Sequence, residues 1–320
     1  MFDIPNDRSL HQQPTPRGGG LVITLLVLIG WLPFSWVLGA PVVTRAQWVL
    51  LGCSSMIAAI SWLDDLRGLS ARVRLLVHLI AALIAVYFAG WWTTIRIPWM
   101  QEIHIGWGGF VLALFWVVGF TNAFNFMDGI DGIAGGQAVA AGLGWTIVGW
   151  LNRQPDVCAL GLLIAGGALG FLIHNWPPAK IFMGDVGSAF LGFVLAVLPL
   201  LALNAQPGSR PPGYDEIAAA LLVWPFVCDS AFTFLRRWRN GENVFAAHRS
   251  HLYQRLVISG LSHRAVTALY AVLAIAGVVM ALAWRAHIDA AVLGVPVLFT
   301  MLALFVRRQE KNASPALAIH

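Results

Sequence analysis

Short polar loops divide this 320-residue chain into about ten apolar runs of roughly 17 to 22 residues, each near the length at which an α-helix crosses a hydrocarbon core. Such a chain has no stretch left for a soluble catalytic domain, so its chemistry belongs to a helix bundle and its loops. Composition agrees: 58% of the residues are apolar and 11% are charged, against about 25% charged in a soluble domain. The expected fold is all-α and integral to a membrane, a polytopic bundle of about ten transmembrane helices in one domain over residues 1–320. The polar start, Met1 to Arg17, lacks the hydrophobic core of a cleavable signal.

Spans are expected at about 19–40, 46–63, 73–92, 107–126, 133–151, 157–174, 186–204, 216–235, 265–284 and 288–306. With the N-terminus cytoplasmic, the inner segments hold Arg8, Arg17, Arg67, Arg72, Arg74, Lys180, Arg236, Arg237, Arg239, Arg249, Arg255, Arg264, Arg307, Arg308 and Lys311. The outer ones hold Arg45, Arg96, Arg153, Arg210 and Arg285. That bias places both termini in the cytoplasm, and it accounts for the net charge of +5 without a nucleic-acid partner. Trp48, Trp91, Trp92, Trp107, Trp150 and Trp284 fall at outer ends, as interfacial anchors or as packing. Outer loops are short and turn-rich, as at Pro207 to Gly213. Ile95, Ile97, Ile103 and Ile105 alternate with polar neighbours around Pro98 to Gln101, predicting a small outer β-hairpin. Cys53, Cys158 and Cys228 read as packing residues, and Gly166-x-x-x-Gly170 as a helix-packing pattern.

Carboxylates at a membrane edge are costly, and here they gather on the cytoplasmic side. The segment Asn122-Ala-Phe-Asn125-Phe-Met-Asp128-Gly-Ile-Asp131-Gly132 repeats an amide or carboxylate every third residue, with glycines that let the backbone turn close to a ligand. Asp64 and Asp65 are adjacent, so on a helix they point about 100° apart and serve different partners. Arg67, Arg72 and Arg74 stand ready to neutralise them as a solvated cluster. Asp185 follows Gly184 where a helix starts, a place for an N-cap. A hard cation such as Mg²⁺ wants one or two carboxylates plus phosphate oxygens, which this scattered set supplies; a compact His/Cys group for zinc is missing. His248, His251 and Arg255, at i, i+3 and i+7, predict one face of a short helix ending near Ser259-Gly260, suited to a diphosphate or else to anionic lipid. Asp229, inside the eighth span after Pro225, reads as structural, bonded to a helix neighbour or to backbone freed by a kink. His78 and His174 read as packed, hydrogen-bonded span residues.

Together, Asp64-Asp65, Asn122 to Gly132, Phe182-Met-Gly-Asp185-Val-Gly-Ser188 and His248-Arg-Ser-His251 resemble the polyprenyl-phosphate N-acetylhexosamine-1-phosphate transferase superfamily, of glycosyltransferase 4 type. The start, Asp3-Ile-Pro-Asn-Asp-Arg-Ser9 with His11 and Pro14-Thr-Pro-Arg-Gly-Gly-Gly20, is similar to its first cytoplasmic loop, and the resemblance covers about residues 3 to 306. It implies transfer of a sugar 1-phosphate from a UDP-N-acetyl sugar to undecaprenyl phosphate, with release of UMP and with Mg²⁺, or Mn²⁺ in its place, as cofactor. By position, Asp185 and Asp128 resemble metal-side residues. Asp64 and Asp65 resemble the pair beside the acceptor phosphate, either of them able to take a proton. Asp131, His248 and His251 complete the implied catalytic set. Thr15, Arg17, Asn122, Asn125, Asn175, Lys180, Phe182, Arg249 and Arg255 fall at implied substrate-binding positions, Asn175 and Phe182 on uracil. The implied setting is the bacterial inner membrane with the site facing the cytoplasm; a homodimer is one option, and the sequence leaves the oligomeric state open.

The resemblance also raises two differences. Members of this branch usually carry a span before the Asp-Ile-Pro-Asn segment, so either loss of a first helix or a misassigned start is expected here. His248-Arg-Ser-His251 replaces the triple histidine of the branch that handles the muramyl pentapeptide precursor, which favours enzymes that start O-antigen or other surface polysaccharides. Lipid I synthesis, a non-catalytic polyprenol-binding relative and a lipid transporter are the alternatives. The choice among UDP-GlcNAc, UDP-GalNAc and 6-deoxy sugars stays open.

Overall fold

The computed structural model describes residues 2–3, 14–40, 42–203, 214–244, 246 and 248–313. Residues 4–13 of the expected first loop, with Arg8 and His11, and the 207–213 outer loop with Arg210 lie outside the described residues. Two short strands, β1 (Phe2–Asp3) and β2 (Thr15–Pro16), pair antiparallel ahead of α1 (Gly19–Val37), α2 (Arg45–Arg67) and α3 (Ala71–Ala89). An antiparallel hairpin follows, β3 (Thr94–Arg96) and β4 (Glu102–His104), then α4 (Gly108–Met127), α5 (Ile133–Leu151), α6 (Pro155–Asn175) and α7 (Asp185–Ala202). The chain continues through α8 (Asp215–Leu222), α9 (Trp224–Arg239), α10 (Leu252–Ile258), α11 (His263–Arg285), a 3-10 turn (Asp289–Leu293) and α12 (Gly294–Asn312).

The helix ends follow from local chemistry. Thr44 Oγ1 accepts from Gln47 N–H while Gln47 Oε1 accepts from Thr44 N–H, a reciprocal cap on α2. Ser70 and Ser262 cap α3 and α11 in the simpler way, accepting from Val73 and Ala265 N–H. At the centre stands α7, every residue of which from Val186 to Ala202 is buried, with α1, α2 and α4 packed around it. A helix apolar on all sides belongs inside the bundle. The lipid is left to outer faces such as Val22, Ile29 and Val37 of α1 and Val297, Met301 and Leu304 of α12.

Eight helices are long and apolar enough to cross a membrane, and a bent pair brings the number to nine, against ten expected. The expected eighth span is that pair: α8 and α9 diverge by 77° at Val223. Pro225 opens α9, where its missing N–H costs nothing, but its ring forbids a continuous helix through Leu221. The carbonyl of Leu222 at the break accepts from Gln137 Nε2 of α5 at 2.9 Å. That Gln and five glycines lie in α5, which is not among the helices counted as apolar enough to cross, and α6 and α11 flank it.

Glycine spacing misled in one place. A Cβ on Gly166 or Gly170 would meet nothing within 4 Å, so this pair packs against no helix. The close approach of α5 and α6 runs through Gly142, Gly149 and Gly161 instead; a Cβ on Gly161 would sit 2.7 Å from Gly142 O and Thr146 N. The hairpin stands as expected, with Ile95 opposite Ile103, and its tip is fastened by Trp99 N–H on Asp289 Oδ2 at 2.7 Å. Trp48, Trp107 and Trp150 are exposed as anchors would be, whereas Trp92 and Trp284 are buried packing. All three cysteines are free, two of them buried. His78 is buried as expected, although its Nδ1 has no hydrogen-bond partner among the described residues, and His174 is exposed in the last turn of α6.

Overpacking of this kind costs about 1–3 kcal/mol. Gly161→Leu should therefore lower the melting temperature of the detergent-solubilised protein by several degrees, while Gly166→Leu leaves it within about a degree.

Candidate functional site

The last turn of α2 presents its two aspartates to different partners. Asp64, nearly buried, takes Arg74 Nη1 on Oδ2 at 2.7 Å and Leu69 N–H on Oδ1 at 2.6 Å. Asp65 faces the other way and receives the first two N–H groups of α7, from Asp185 at 3.0 Å and Val186 at 2.9 Å. Those donors have no intrahelical acceptor, and the positive end of the helix dipole favours a carboxylate there. The cap of α7 thus comes from α2, and Asp185 supplies no cap of its own. Its carboxylate instead stands 3.3 Å from Arg74. Gly184 turns the chain at φ +77°, and a Cβ there would lie 3.0 Å from Asp65 Oδ2. Neutralisation by Arg74 is as expected, although the cluster is packed rather than solvated.

Opposite lies the loop 128–132 between α4 and α5. Asn125 Oδ1 accepts from Ser188 Oγ of α7. Asn122, one turn deeper, gives its Nδ2 to Val118 O at 2.8 Å within its own helix. Burial, then the charges of Asp65 and Asp131, push the Asp128 carboxyl up to about 7, with Arg17 opposing. For Asp131 burial also pulls upward, but His263 and the N–H of Ala179 outweigh it and hold the carboxyl below its usual range. Ala179 N–H lies 3.0 Å from Asp131 Oδ2, and His263 Nδ1 lies 3.4 Å from Oδ1. Tyr253 OH donates to Phe126 O at 3.0 Å and occupies the space beside Gly129.

Two segments close the ring. Asn175, buried, accepts from Gly132 N–H at 2.7 Å and donates to Ile181 O at 2.8 Å, so both ends of its amide lock one loop to another. The N-terminal stretch lies alongside: Phe182 N–H bonds Pro16 O, and Phe182 O accepts from Gly18 and Gly19 N–H. This pairing puts Thr15 and Arg17 at the site, Arg17 acting on both Asp65 and Asp128. Lys180 is exposed at the rim. Among the described residues no three His, Cys, Asp or Glu side chains form a preset cage for an ion.

The histidine segment departs from expectation. Residues 248–251 are not helical, and α10 begins only at Leu252, so His248, His251 and Arg255 share no helix face. Arg255 turns away and binds Glu310 of α12 bidentately, both bonds at 2.7 Å. Nor is α10 a lipid-surface helix, because Leu252, Tyr253, Gln254 and Leu256 are buried. His251 is buried with Nδ1 3.3 Å from Asp229 Oδ1. His248 lies beside it, ring centroids 5.0 Å apart. Burial, then His251 and Arg237, push the His248 imidazole down to about 4, so at neutral pH it offers a phosphate no charge. Arg249 keeps a buried Nε with no partner among the described residues. Ser188, Tyr253, His263 and Asp229 are the contributors that sequence reasoning missed or set aside; each reaches the site across more than 20 residues of chain, beyond any local pattern.

Residues 47–203, which span α2 to α7 and carry Asp64 through Asp185, match the profile of glycosyl transferase family 4. The chain is 34% identical over 269 residues to a probable undecaprenyl-phosphate N-acetylglucosaminyl 1-phosphate transferase of Bacillus subtilis (strain 168), covering 82% of this chain and 71% of that one. It is 33% identical over 292 residues to a decaprenyl-phosphate N-acetylglucosaminephosphotransferase of Mycobacterium leprae, covering 83% and 72%. A phospho-N-acetylmuramoyl-pentapeptide-transferase of Listeria monocytogenes is 35% identical over 199 residues, covering 58% of this chain and 61% of the relative.

If Arg255 belongs to α12 rather than to a substrate, Arg255→Ala and Glu310→Ala should each destabilise the protein by about 1 kcal/mol or less, and the double variant by no more than either alone. Thermal melts of the three variants in one detergent measure this.

Proposed function

The chain belongs to glycosyl transferase family 4, and on that premise we propose that it transfers an N-acetylhexosamine 1-phosphate from a UDP-sugar to undecaprenyl or another polyprenyl phosphate, releasing UMP. The observation that carries this reading is the convergence of Asp64, Asp65, Asp128, Asp131 and Asp185, from α2, the 128–132 loop and the start of α7, at one end of the bundle. A lipid-borne acceptor reaches such a site from the bilayer while a nucleotide reaches it from water. The inner-facing excess of basic residues supports a cytoplasmic orientation in a bacterial inner membrane.

In the proposed reaction an oxygen of the acceptor phosphate attacks the β-phosphorus of the donor. The bond from that phosphorus to the oxygen bridging to the α-phosphorus breaks, and the electron pair leaves with UMP. A phosphate monoester with a second pKa near 6 is mostly dianionic at pH 7, so no strong base is required. Asp64, held by Arg74 and Leu69 N–H, keeps the acceptor side rigid. Asp65 fixes the start of α7 and with it Asp185. Arg17 and His251 supply donors to phosphate oxygens, as alignment and charge stabilisation dominate phosphoryl-type transfer. The donor set suits Mg²⁺, or Mn²⁺ in its place: Asp128 and Asp185 are hard oxygen ligands, both beside Asp65, and the upward push on Asp128 marks a carboxylate cluster short of positive charge. When bound, such an ion neutralises the diphosphate.

The product would start an O-antigen or related surface polysaccharide. His248-Arg-Ser-His251 supports that pathway over lipid I synthesis, the reaction of the Listeria relative's printed name.

Membranes containing the chain, given Mg²⁺, undecaprenyl phosphate and a panel of UDP-N-acetyl sugars, should release UMP with at least one donor. Excess EDTA should stop the release, and Asp185→Asn should lower it by about 100-fold or more while the protein stays helical in detergent. Absence of UMP and of lipid product with every donor would favour the non-catalytic or transport alternatives.

A further inference from the structure

Behind His251 lies a carboxylate to which the proposed reaction gives no task. Asp229, in the first half of α9 beyond the break at Val223, is fully buried. Its Oδ1 accepts from Leu252 N–H at 2.8 Å and Thr233 Oγ1 at 3.2 Å, and its Oδ2 from Tyr253 N–H at 3.2 Å and Tyr270 OH at 2.6 Å. His251 Nδ1 completes the shell at 3.3 Å from Oδ1. The sequence suggested backbone freed by the kink as one partner, but Gln137 serves that carbonyl, and Asp229 reaches forward to α10 and α11.

An ionised carboxylate only accepts hydrogen bonds, so the ring nitrogen facing Asp229 carries a proton. A histidine's tautomer is set by the bond its second nitrogen makes. Here that bond holds the proton on Nδ1, so the ring meets a phosphate through Nε2, which donates as the imidazolium that the Asp229 carboxylate balances. The ring has little freedom to turn, lying between His248 at 5.0 Å and Tyr253 at 5.8 Å between centroids. Tyr253 in turn reaches Phe126 O, two residues before Asp128. One buried carboxylate therefore sets the start of α10, the orientation of His251 and the seat of the 128–132 loop together.

We infer that Asp229 is the positioning residue for His251, holding its Nδ1–H and balancing the charge of the imidazolium so that Nε2–H is presented to the donor's diphosphate. The inference rests on the proposed transfer, in which His251 touches phosphate. A carboxylate is needed because it accepts from His251 and from both backbone N–H groups at once. An amide in its place has one acceptor oxygen and turns an N–H toward the remaining donors.

The test is a double-mutant cycle on the full-length protein in detergent, reading kcat and the KM for the UDP-sugar. His251→Ala and Asp229→Asn should each lower kcat, Asp229→Asn by about 10- to 100-fold, the usual effect of removing a carboxylate behind a working imidazole. The double variant should be no slower than His251→Ala, and KM should move less than about 3-fold. Losses that multiply in the double variant, or an unchanged kcat in Asp229→Asn, would overturn the inference. Full kcat in His251→Ala would overturn it from the other side, by removing His251 from the phosphate, while continued UMP release left the transfer reaction standing. Should Asp229→Asn fail to fold, Tyr270→Phe takes its place in the cycle, since it removes one donor to Asp229 and leaves both backbone caps. Its kcat should fall several-fold with His251 present and not at all in the His251→Ala background; equal losses in both backgrounds would overturn the inference.

Discussion

A carboxylate of one helix sits on the first N–H groups of another, and the site is built around that contact. The central helix α7 is buried from its second residue onward, so its leading donors cannot turn to water. Asp65 at the end of α2 answers them at 3.0 and 2.9 Å. A buried donor left unpaired costs about 1–3 kcal/mol, and a charge at a partly buried helix start contributes up to about 2. This lock brings the ends of α2 and α7 together. It follows that Asp64, one residue earlier, and Asp185, the first residue of α7, meet over Arg74.

The other walls are held by backbone pairing across long stretches of chain. Phe182 joins the segment before α1 to the segment before α7, and Gly20 packs so closely on Gly187 that a Cβ would lie 2.3 Å from its Cα. Asn175 ties the 128–132 loop to Ile181. Tyr253 and Asp229 extend the same bracing to the histidine segment. Most polar residues near the site thus hold loops in place, leaving a smaller group, Asp128, Asp185, Arg17 and His251 among them, to face phosphate in the proposed reaction.

Hydropathy made the bundle legible, because span length is a property of contiguous residues. The adjacent aspartates were legible too: a helical turn of about 100° per residue separates Asp64 from Asp65, and their partners differ accordingly. What failed depended on contacts that no local pattern encodes. Gly166 and Gly170 carry packing spacing on a face that meets no helix, while Gly161, without a glycine four residues away, meets one. The His248–His251–Arg255 spacing assumed a helix that starts only after His251, because Asp229, from a distant helix, fixes that start. Pro225 was visible, but its outcome, a 77° break in place of a kinked span, depended on Gln137 satisfying the freed carbonyl of Leu222.

The central claim is that phosphorus moves with the sugar. The most direct test uses a UDP-N-acetyl sugar labelled with ³²P at the β-phosphate, incubated with the purified protein, Mg²⁺ and undecaprenyl phosphate. The account predicts that the label passes into the organic-soluble lipid together with the sugar and that the released nucleotide is unlabelled UMP. Label retained in UDP, with the sugar alone on the lipid, would contradict it.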